Sequence, residues 1–86
     1  MQFMVYVLYS TKHDRYYVGQ TSDLKLRLGR HNDGRVRSTK PYVPWKVVYS
    51  ESFKTRSEAM RRERELKNKK SKVYLAQLAE SRLGRD

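Results

Sequence analysis

The sequence MVYVLYSTKHDRYYVGQTSDLKLRLGRH, which runs from Met4 to His31, decides the fold. It holds an apolar segment, a polar loop, a second segment ending in YYVG, and an amphipathic helix pattern. The loop has the length of a β-hairpin connection, so the two segments are predicted to pair as antiparallel strands. If paired residues have numbers that sum to an odd total, Tyr6 and Tyr17 share one face within about 8 Å. Gly19 is predicted to end the second strand and to let the chain turn.

The helix that follows places two basic groups on its inward face. Any of Thr21, Ser22 and Asp23 could cap its N-terminus. Helical spacing then aligns one stripe of four side chains: Leu24, Arg27, Leu28 and His31. On a surface helix, a guanidinium and an imidazole would normally lie on the opposite face, towards solvent. Two tyrosines, an arginine and a histidine are therefore predicted to converge at one sheet edge, an arrangement that suits phosphate chemistry.

The remaining chain predicts one more strand and two helices. WKVVYSESF, from Trp45 to Phe53, has the β-branched and aromatic residues of a third strand. Its strict alternation predicts one face with Trp45, Val47, Tyr49 and Glu51, and an opposite face with Val48 and Ser50. A capping box of Thr55 with Glu58 predicts a second helix from about Ser57 to Lys69. A third helix is predicted to start at Ser71, to end at Gly84 and to carry an apolar stripe of Val73, Leu75, Leu78, Ala79 and Leu83.

These elements predict a single α+β domain over residues 1–86, in the order β-β-α-β-α-α, with a three-stranded antiparallel sheet flanked by helices. The sequence has no cysteine, which excludes disulfide and thiol chemistry, and no apolar run long enough to cross a bilayer. A cytoplasmic protein without a membrane partner is expected. The net charge of +11 instead indicates a nucleic acid partner, and nine of the twenty Lys and Arg residues lie between Lys54 and Lys72.

The spacing of Met4-Val5-Tyr6 and Tyr17-Val18-Gly19, followed by Thr21, Leu24, Arg27, Leu28 and His31, resembles the GIY-YIG nuclease superfamily. The resemblance is strongest to its small stand-alone bacterial branch, related to the N-terminal nuclease domain of the excinuclease C subunit. It covers nearly the whole chain, because Ala59, Glu63, Leu66 and Lys67 match the family's later carboxylate helix. Met4 departs from the family name, since it stands where the first glycine would be.

The resemblance implies a catalytic set of Tyr6, Tyr17, Arg27, His31 and Glu63, with no small-molecule cofactor. Glu63 would hold one divalent cation, Mg²⁺ or Mn²⁺, although a salt bridge to Arg62, Arg64 or Lys67 is the ordinary alternative. Arg27 would stabilise a pentacovalent phosphorus, or simply extend its stem along the sheet towards solvent. Either tyrosine could orient or deprotonate water, with Tyr17 favoured. His31 could act as general base or bind the scissile phosphate, or it could be an ordinary helix-end group.

Six further residues are predicted to contact nucleic acid: Arg35, Arg37, Thr39, Lys40, Arg62 and Lys67. The implied function is a metal-dependent DNA endonuclease, compatible with structure-selective cleavage in repair or recombination. The rival function is a non-catalytic basic module that keeps the fold and binds nucleic acid. A third function, interaction with a protein partner through the last helix, depends only on a weak amphipathic stripe. Asn68 is the one late asparagine that could stand near the metal, as an asparagine does in many relatives.

Overall fold

The strands and helices follow the predicted order in a computed structural model of the protein, which describes residues 2–69 and 72–83, the last three by their backbone alone. The elements are β1 (Phe3–Ser10), β2 (Arg15–Thr21), α1 (Leu24–Asn32), a single 3₁₀ turn (Lys40–Tyr42), β3 (Lys46–Phe53), α2 (Arg56–Lys69) and α3 (Lys72–Leu83). The sheet is antiparallel with the order β2-β1-β3, so the most apolar strand is central. The predicted fold class is confirmed.

The hairpin register fixes which tyrosines share a face. Tyr9 pairs with Tyr16 and Tyr6 pairs with Gly19, as the odd-sum register requires. Tyr6 and Tyr17 are therefore diagonal neighbours on one face, with their ring centroids 6.4 Å apart. The prediction for Gly19 is wrong, because this glycine lies inside β2 rather than at its end.

A β-bulge changes the faces of the third strand. Val7 pairs with Tyr49 while Leu8, the next residue of β1, pairs with Val47, so β3 holds one extra residue at this point. A bulge of this kind moves every later side chain to the opposite face. Val47 consequently packs with Trp45 on one face of the sheet, while Val48 and Tyr49 pack on the other. The predicted strict alternation along β3 is wrong for this reason.

Two hydrophobic clusters lie on opposite faces of the sheet. On one face α2 and α3 cover the odd-numbered side chains of β1, and this cluster contains Val5, Val7, Val18, Ala59, Leu66 and Leu75. On the other face α1 and the 3₁₀ turn cover the even-numbered side chains, around Tyr6, Leu8 and Trp45. The backbone N–H of Trp45 donates to Asn32 Oδ1 at 2.6 Å, which ties the start of β3 to the end of α1.

The helix ends largely follow the sequence. Asp23 Oδ1 accepts from the backbone N–H of Leu26 at 3.0 Å and caps α1. The capping box of α2 is formed, because Glu58 N–H donates to Thr55 Oγ1 at 3.2 Å and Thr55 N–H donates to Glu58 at 3.3 Å.

The third helix differs in its inward face. Leu75 and Leu78 pack as predicted, but Val73 is 67% exposed and Tyr74 packs in its place. The predicted cap at Ser71 and the end at Gly84 lie outside the described residues. None of the helices in the described ranges is long and apolar enough to cross a membrane.

Candidate active site

Four of the predicted catalytic side chains meet between the sheet and α1. The ring of His31 lies 5.0 Å from that of Tyr17 and 6.0 Å from that of Tyr6, both in edge-to-face geometry. Arg27, one turn before His31, reaches the same point and donates from Nε to Tyr6 Oη at 3.4 Å. The inward stripe of α1 is therefore confirmed.

A continuous hydrogen-bond chain runs through this cluster. Tyr6 Oη lies 3.1 Å from His31 Nε2, and His31 Nδ1 lies 2.8 Å from Thr39 Oγ1. Thr39 Oγ1 also donates to the carbonyl oxygen of Val36 at 3.3 Å, so its proton is used there. His31 must then donate from Nδ1 and accept at Nε2, which lets Tyr6 donate to Nε2. The chain satisfies every one of these polar groups with a single histidine tautomer.

Burial keeps both ends of the Tyr6–His31 hydrogen bond neutral. Burial, followed by the nearby charge of Arg27, lowers the pKa of His31 below its usual 6.5. Burial also raises the pKa of Tyr6 above its usual value, although the hydrogen bond from Arg27 offsets part of this effect. At neutral pH the imidazole is thus an acceptor and the phenol a donor.

The four groups differ in their access to solvent. Tyr6 is 1% exposed and His31 is 0% exposed, whereas Tyr17 and Arg27 are only half-buried. A bound phosphate could therefore touch the second pair but not the first. Tyr6 and His31 can act only through the groups they hold.

Arg27 is a cation without an acidic partner. Arg35, Arg62, Lys67 and Lys72 each form an ion pair, but no carboxylate of the described residues forms one with Arg27. Its guanidinium instead interacts with the hydroxyls of Tyr6 and Tyr17, and the hydrogen bond to Tyr6 raises its pKa. A half-buried guanidinium among neutral groups is a natural binding site for an anion.

Gly19 is a site residue whose role the sequence did not suggest. A Cβ atom at this position would lie 2.6 Å from Tyr6 Oη and 2.7 Å from Tyr6 Cζ, far closer than van der Waals contact. The ring of Tyr6 lies across the glycine that faces it in β2, and any side chain there would displace the phenol. The hairpin register, which pairs these two positions, was the signal that could have revealed it.

The predicted metal ligand, Glu63, lies on α2. The side chain of Glu63 is 18% exposed, and its Oε2 lies 2.8 Å from Lys67 Nζ, so one of the predicted salt bridges is present. Its charge contributes, as the smallest cause, to the raised pKa of Tyr6. Glu63 and Asn68 line one shallow surface depression, together with Met60, Arg64 and Lys67.

The donor set around Glu63 fits a weakly held, hard cation. Within the residues described, no three side chains of His, Cys, Asp or Glu lie together as a metal-binding group. One carboxylate beside an amide carbonyl in an open depression leaves room for water ligands, which Mg²⁺ retains more readily than most ions. A soft or multi-ligand metal such as zinc would not fit here.

The predicted nucleic acid contacts fall into three groups. Arg35, Arg37 and Lys40 are exposed on the loop after α1, as a phosphate contact requires. Thr39, however, is 1% exposed and is occupied by His31 and Val36, and Arg62 lies on the opposite face of the sheet with Glu51. Lys67 is exposed, but it pairs with Glu63. The structure thus places the first three residues at the surface and turns Thr39 and Arg62 to internal contacts.

Known proteins resemble this chain over most of its length. The model of the GIY-YIG catalytic domain matches residues 2–76. The UPF0213 protein YazA of Bacillus subtilis is 36% identical over 75 residues, which are 83% of this chain and 76% of that protein. A UPF0213 protein of Listeria monocytogenes is 43% identical over 70 residues, covering 77% of this chain and 79% of its own length. The solution structure of UPF0213 protein BH0048 from Bacillus halodurans superposes with a TM-score of 0.54 at 32% identity, over 91% of this chain and 85% of that one.

Proposed function

Because this chain belongs to the GIY-YIG family, we propose that it is a metal-dependent endonuclease that hydrolyses phosphodiester bonds of DNA. The observation that carries the proposal is the half-buried guanidinium of Arg27, which has no carboxylate partner among the described residues and lies against two tyrosine hydroxyls. A guanidinium in this setting favours binding of an anion, and a phosphodiester would be such an anion.

The two accessible groups, Tyr17 and Arg27, would contact the substrate. The fork of Arg27 matches the oxygens of a phosphate and would stabilise the added charge of a pentacovalent phosphorus. Tyr17 Oη would orient the attacking water. Its greater exposure favours it over Tyr6 for this role.

The two buried groups are positioning residues. The Tyr6 hydroxyl accepts from Arg27 Nε and donates to His31 Nε2, so it fixes where the guanidinium points. His31 is in turn fixed by Thr39, whose Oγ1 accepts the hydrogen bond from Nδ1–H.

Glu63 would hold the single Mg²⁺ or Mn²⁺ ion, with Asn68 beside it. When bound, such an ion supplies Lewis-acid stabilisation of the leaving 3′-oxygen. Lys67 must give up its ion pair with Glu63, and its exposed side chain is then free to contact a phosphate. The exposed Arg35, Arg37 and Lys40 would follow the backbone of the DNA and give affinity without reading its sequence.

A cleavage assay with matched glutamate variants tests the proposal. Plasmid, single-stranded, branched and RNA substrates are incubated with Mg²⁺ or Mn²⁺, using wild type, Glu63→Ala and the control Glu65→Ala. Glu65 lies on the same helix, but its side chain is 60% exposed and, among the described residues, its ion pair is with Arg62 at 3.9 Å. We expect metal-dependent cleavage of DNA by wild type and Glu65→Ala, and none by Glu63→Ala.

Binding measurements separate the enzyme from its rival. Glu63→Ala should keep or increase its affinity for DNA, because a negative charge is lost, while its affinity for Mn²⁺ falls in calorimetry. Wild-type protein that binds every substrate but cleaves none, with Glu63→Ala binding equally well, would establish the non-catalytic nucleic-acid-binding module instead.

A further inference from the structure

Three exposed or half-exposed side chains form a cluster at the tip of the β1–β2 hairpin. The guanidinium carbon of Arg15 lies over the ring of Tyr42, 4.3 Å from its centroid. The ring of His13 meets that of Tyr42 at 5.5 Å in near-perpendicular geometry. His13 and Arg15 are exposed, and Tyr42 is half-buried. We name His13, Arg15 and Tyr42 the hairpin-tip cluster.

The positive charge of this cluster is not neutralised by its neighbour in sequence. Asp14 lies between His13 and Arg15, but its carboxylate accepts from Tyr9 Oη at 2.8 Å and pairs with Lys72 Nζ at 2.8 Å. Both partners belong to the face covered by α2 and α3. Arg15 forms no ion pair with a carboxylate of the described residues, so its guanidinium is available to an anion or a π-face.

A row of aromatic rings connects the hairpin-tip cluster to the candidate active site. Tyr42 lies 6.4 Å from Trp45, and Trp45 lies 6.4 Å from Tyr17, measured between ring centroids. Tyr42 also closes the 3₁₀ turn that begins at Lys40, at the end of the basic loop. The cluster is thus linked to Tyr17 through the buried ring of Trp45, and it lies next to the exposed loop that is expected to follow a nucleic acid backbone.

We propose that the hairpin-tip cluster binds an unpaired nucleotide of a single-stranded DNA segment that adjoins the duplex at the active site. Base faces stack on aromatic rings and on guanidinium planes, and an arginine held over a tyrosine presents such a plane. A paired base inside the duplex cannot use it, because neighbouring base pairs cover both of its faces. The inference depends on the proposed function for the substrate class and makes branched or tailed DNA the preferred substrate.

Binding in EDTA tests the inference without any cleavage. Fluorescence anisotropy compares a blunt duplex with the same duplex carrying a single-stranded thymidine tail, using wild type and Arg15→Gln. We expect Arg15→Gln to weaken binding of the tailed duplex about five- to tenfold, the effect of losing one stacked base, and binding of the blunt duplex less than about twofold. The matched control is Arg56→Gln, because Arg56 is also exposed and lies 5.0 Å from the centroid of Phe3 at another site. Arg56→Gln should weaken binding of the blunt and the tailed duplex by the same factor.

A second variant, Tyr42→Leu, removes the ring but keeps an apolar contact with Trp45. It should weaken binding of the tailed duplex by about as much as Arg15→Gln does. If thermal unfolding shows that Tyr42→Leu is not folded, the result for Arg15→Gln is used by itself to test the inference. An equal loss on both duplexes, no loss on either, or a stronger preference for a uridine-tailed RNA would overturn the inference. The binding assay contains no metal, so its result does not depend on cleavage. If tail binding depends on Arg15 but the protein never cleaves DNA, the proposed function is wrong and the assignment of this nucleotide-binding surface stands. If the protein cleaves DNA but tail binding does not depend on Arg15, the proposed function stands and this inference is wrong.

Discussion

Two polar networks lie on opposite faces of the same sheet, and each joins a tyrosine to an arginine. On the α1 face, Arg27 donates to Tyr6, which is bonded to His31. On the α2 face, Arg62 Nε lies 3.3 Å from Glu51 Oε2, and the same oxygen accepts from Tyr49 Oη at 2.6 Å. The second network contains its own counter-ion, whereas no carboxylate of residues 2–69 and 72–80 forms an ion pair in the first.

This difference separates a structural network from a functional one. A half-buried arginine loses hydration, and an internal carboxylate restores most of that loss. Arg62 is compensated by Glu51 and needs nothing further. Arg27 has only neutral partners in the described part of the chain, so binding of an external anion is what would complete its environment. The sequence places Arg27 on the inward stripe of α1 and predicts a nucleic acid contact for Arg62, but local pattern does not reveal which of the two has a counter-ion.

The difference between the two networks is tested most strongly by replacing each arginine in turn. We expect Arg27→Met to lower the rate of DNA cleavage about a hundred- to a thousandfold, because a charge-stabilising donor is lost from the transition state. Its free energy of unfolding should change little. Arg62→Met should do the opposite: near wild-type cleavage, with about 1–2 kcal/mol of stability lost because Glu51 loses the cation that pairs with it.

Initial rates with saturating metal and denaturant unfolding measure the two effects on each variant. A loss of stability without a loss of cleavage in Arg27→Met would show that both networks are structural, and the proposed function would then need another phosphate-binding group.

A smaller effect is expected from the glycine beneath Tyr6. Gly19→Ala would place a methyl group 2.6 Å from Tyr6 Oη, so the phenol must move and the free energy of unfolding should fall by about 1–3 kcal/mol. Gly29→Ala is the matched control on α1, where a Cβ meets nothing within 4 Å. It should stabilise the protein by about 0.5–1 kcal/mol through helix propensity.

Thermal and urea unfolding of both variants provide the comparison. Equal stability of the two alanine proteins would mean that Tyr6 is free to move, and that the hydrogen-bond chain does not depend on its position.

The smallest expected effect is a pH dependence of stability that arises from His31. Burial lowers its pKa in the folded protein below the usual 6.5. Below about pH 6.5 the unfolded chain therefore takes up a proton that the folded protein refuses, so stability falls as pH drops, by at most about 1.4 kcal/mol per pH unit. Above that pH this histidine makes no difference.

Melting temperatures of wild type and His31→Gln between neutral and mildly acidic pH measure this contribution. The wild-type melting temperature should decline more steeply than that of the variant. If the two decline in parallel, His31 does not become harder to protonate on folding, and its assignment as an acceptor for Tyr6 is lost.

The sequence alone determined the elements and most of the candidate site. Periodicity and capping residues act within a few positions, so the order of strands and helices and the inward stripe of Arg27 and His31 could be predicted, whereas the hairpin register stayed open. The implied roles of the site residues, and the metal on Glu63, are still predictions. The observed hairpin register pairs Tyr6 with Gly19. This pairing was not predicted, because glycine commonly forms turns and was expected to end the strand.

Only the tertiary structure decided which side chains satisfy one another. The bulge in β3 reverses the face of Tyr49, and Thr39 turns inward to hold His31 rather than outward to a phosphate. Likewise Arg62 is neutralised while Arg27 is not. These outcomes depend on contacts between segments distant in sequence, and local pattern cannot supply them, because a charge or hydroxyl takes whichever partner the packed fold brings within hydrogen-bond distance.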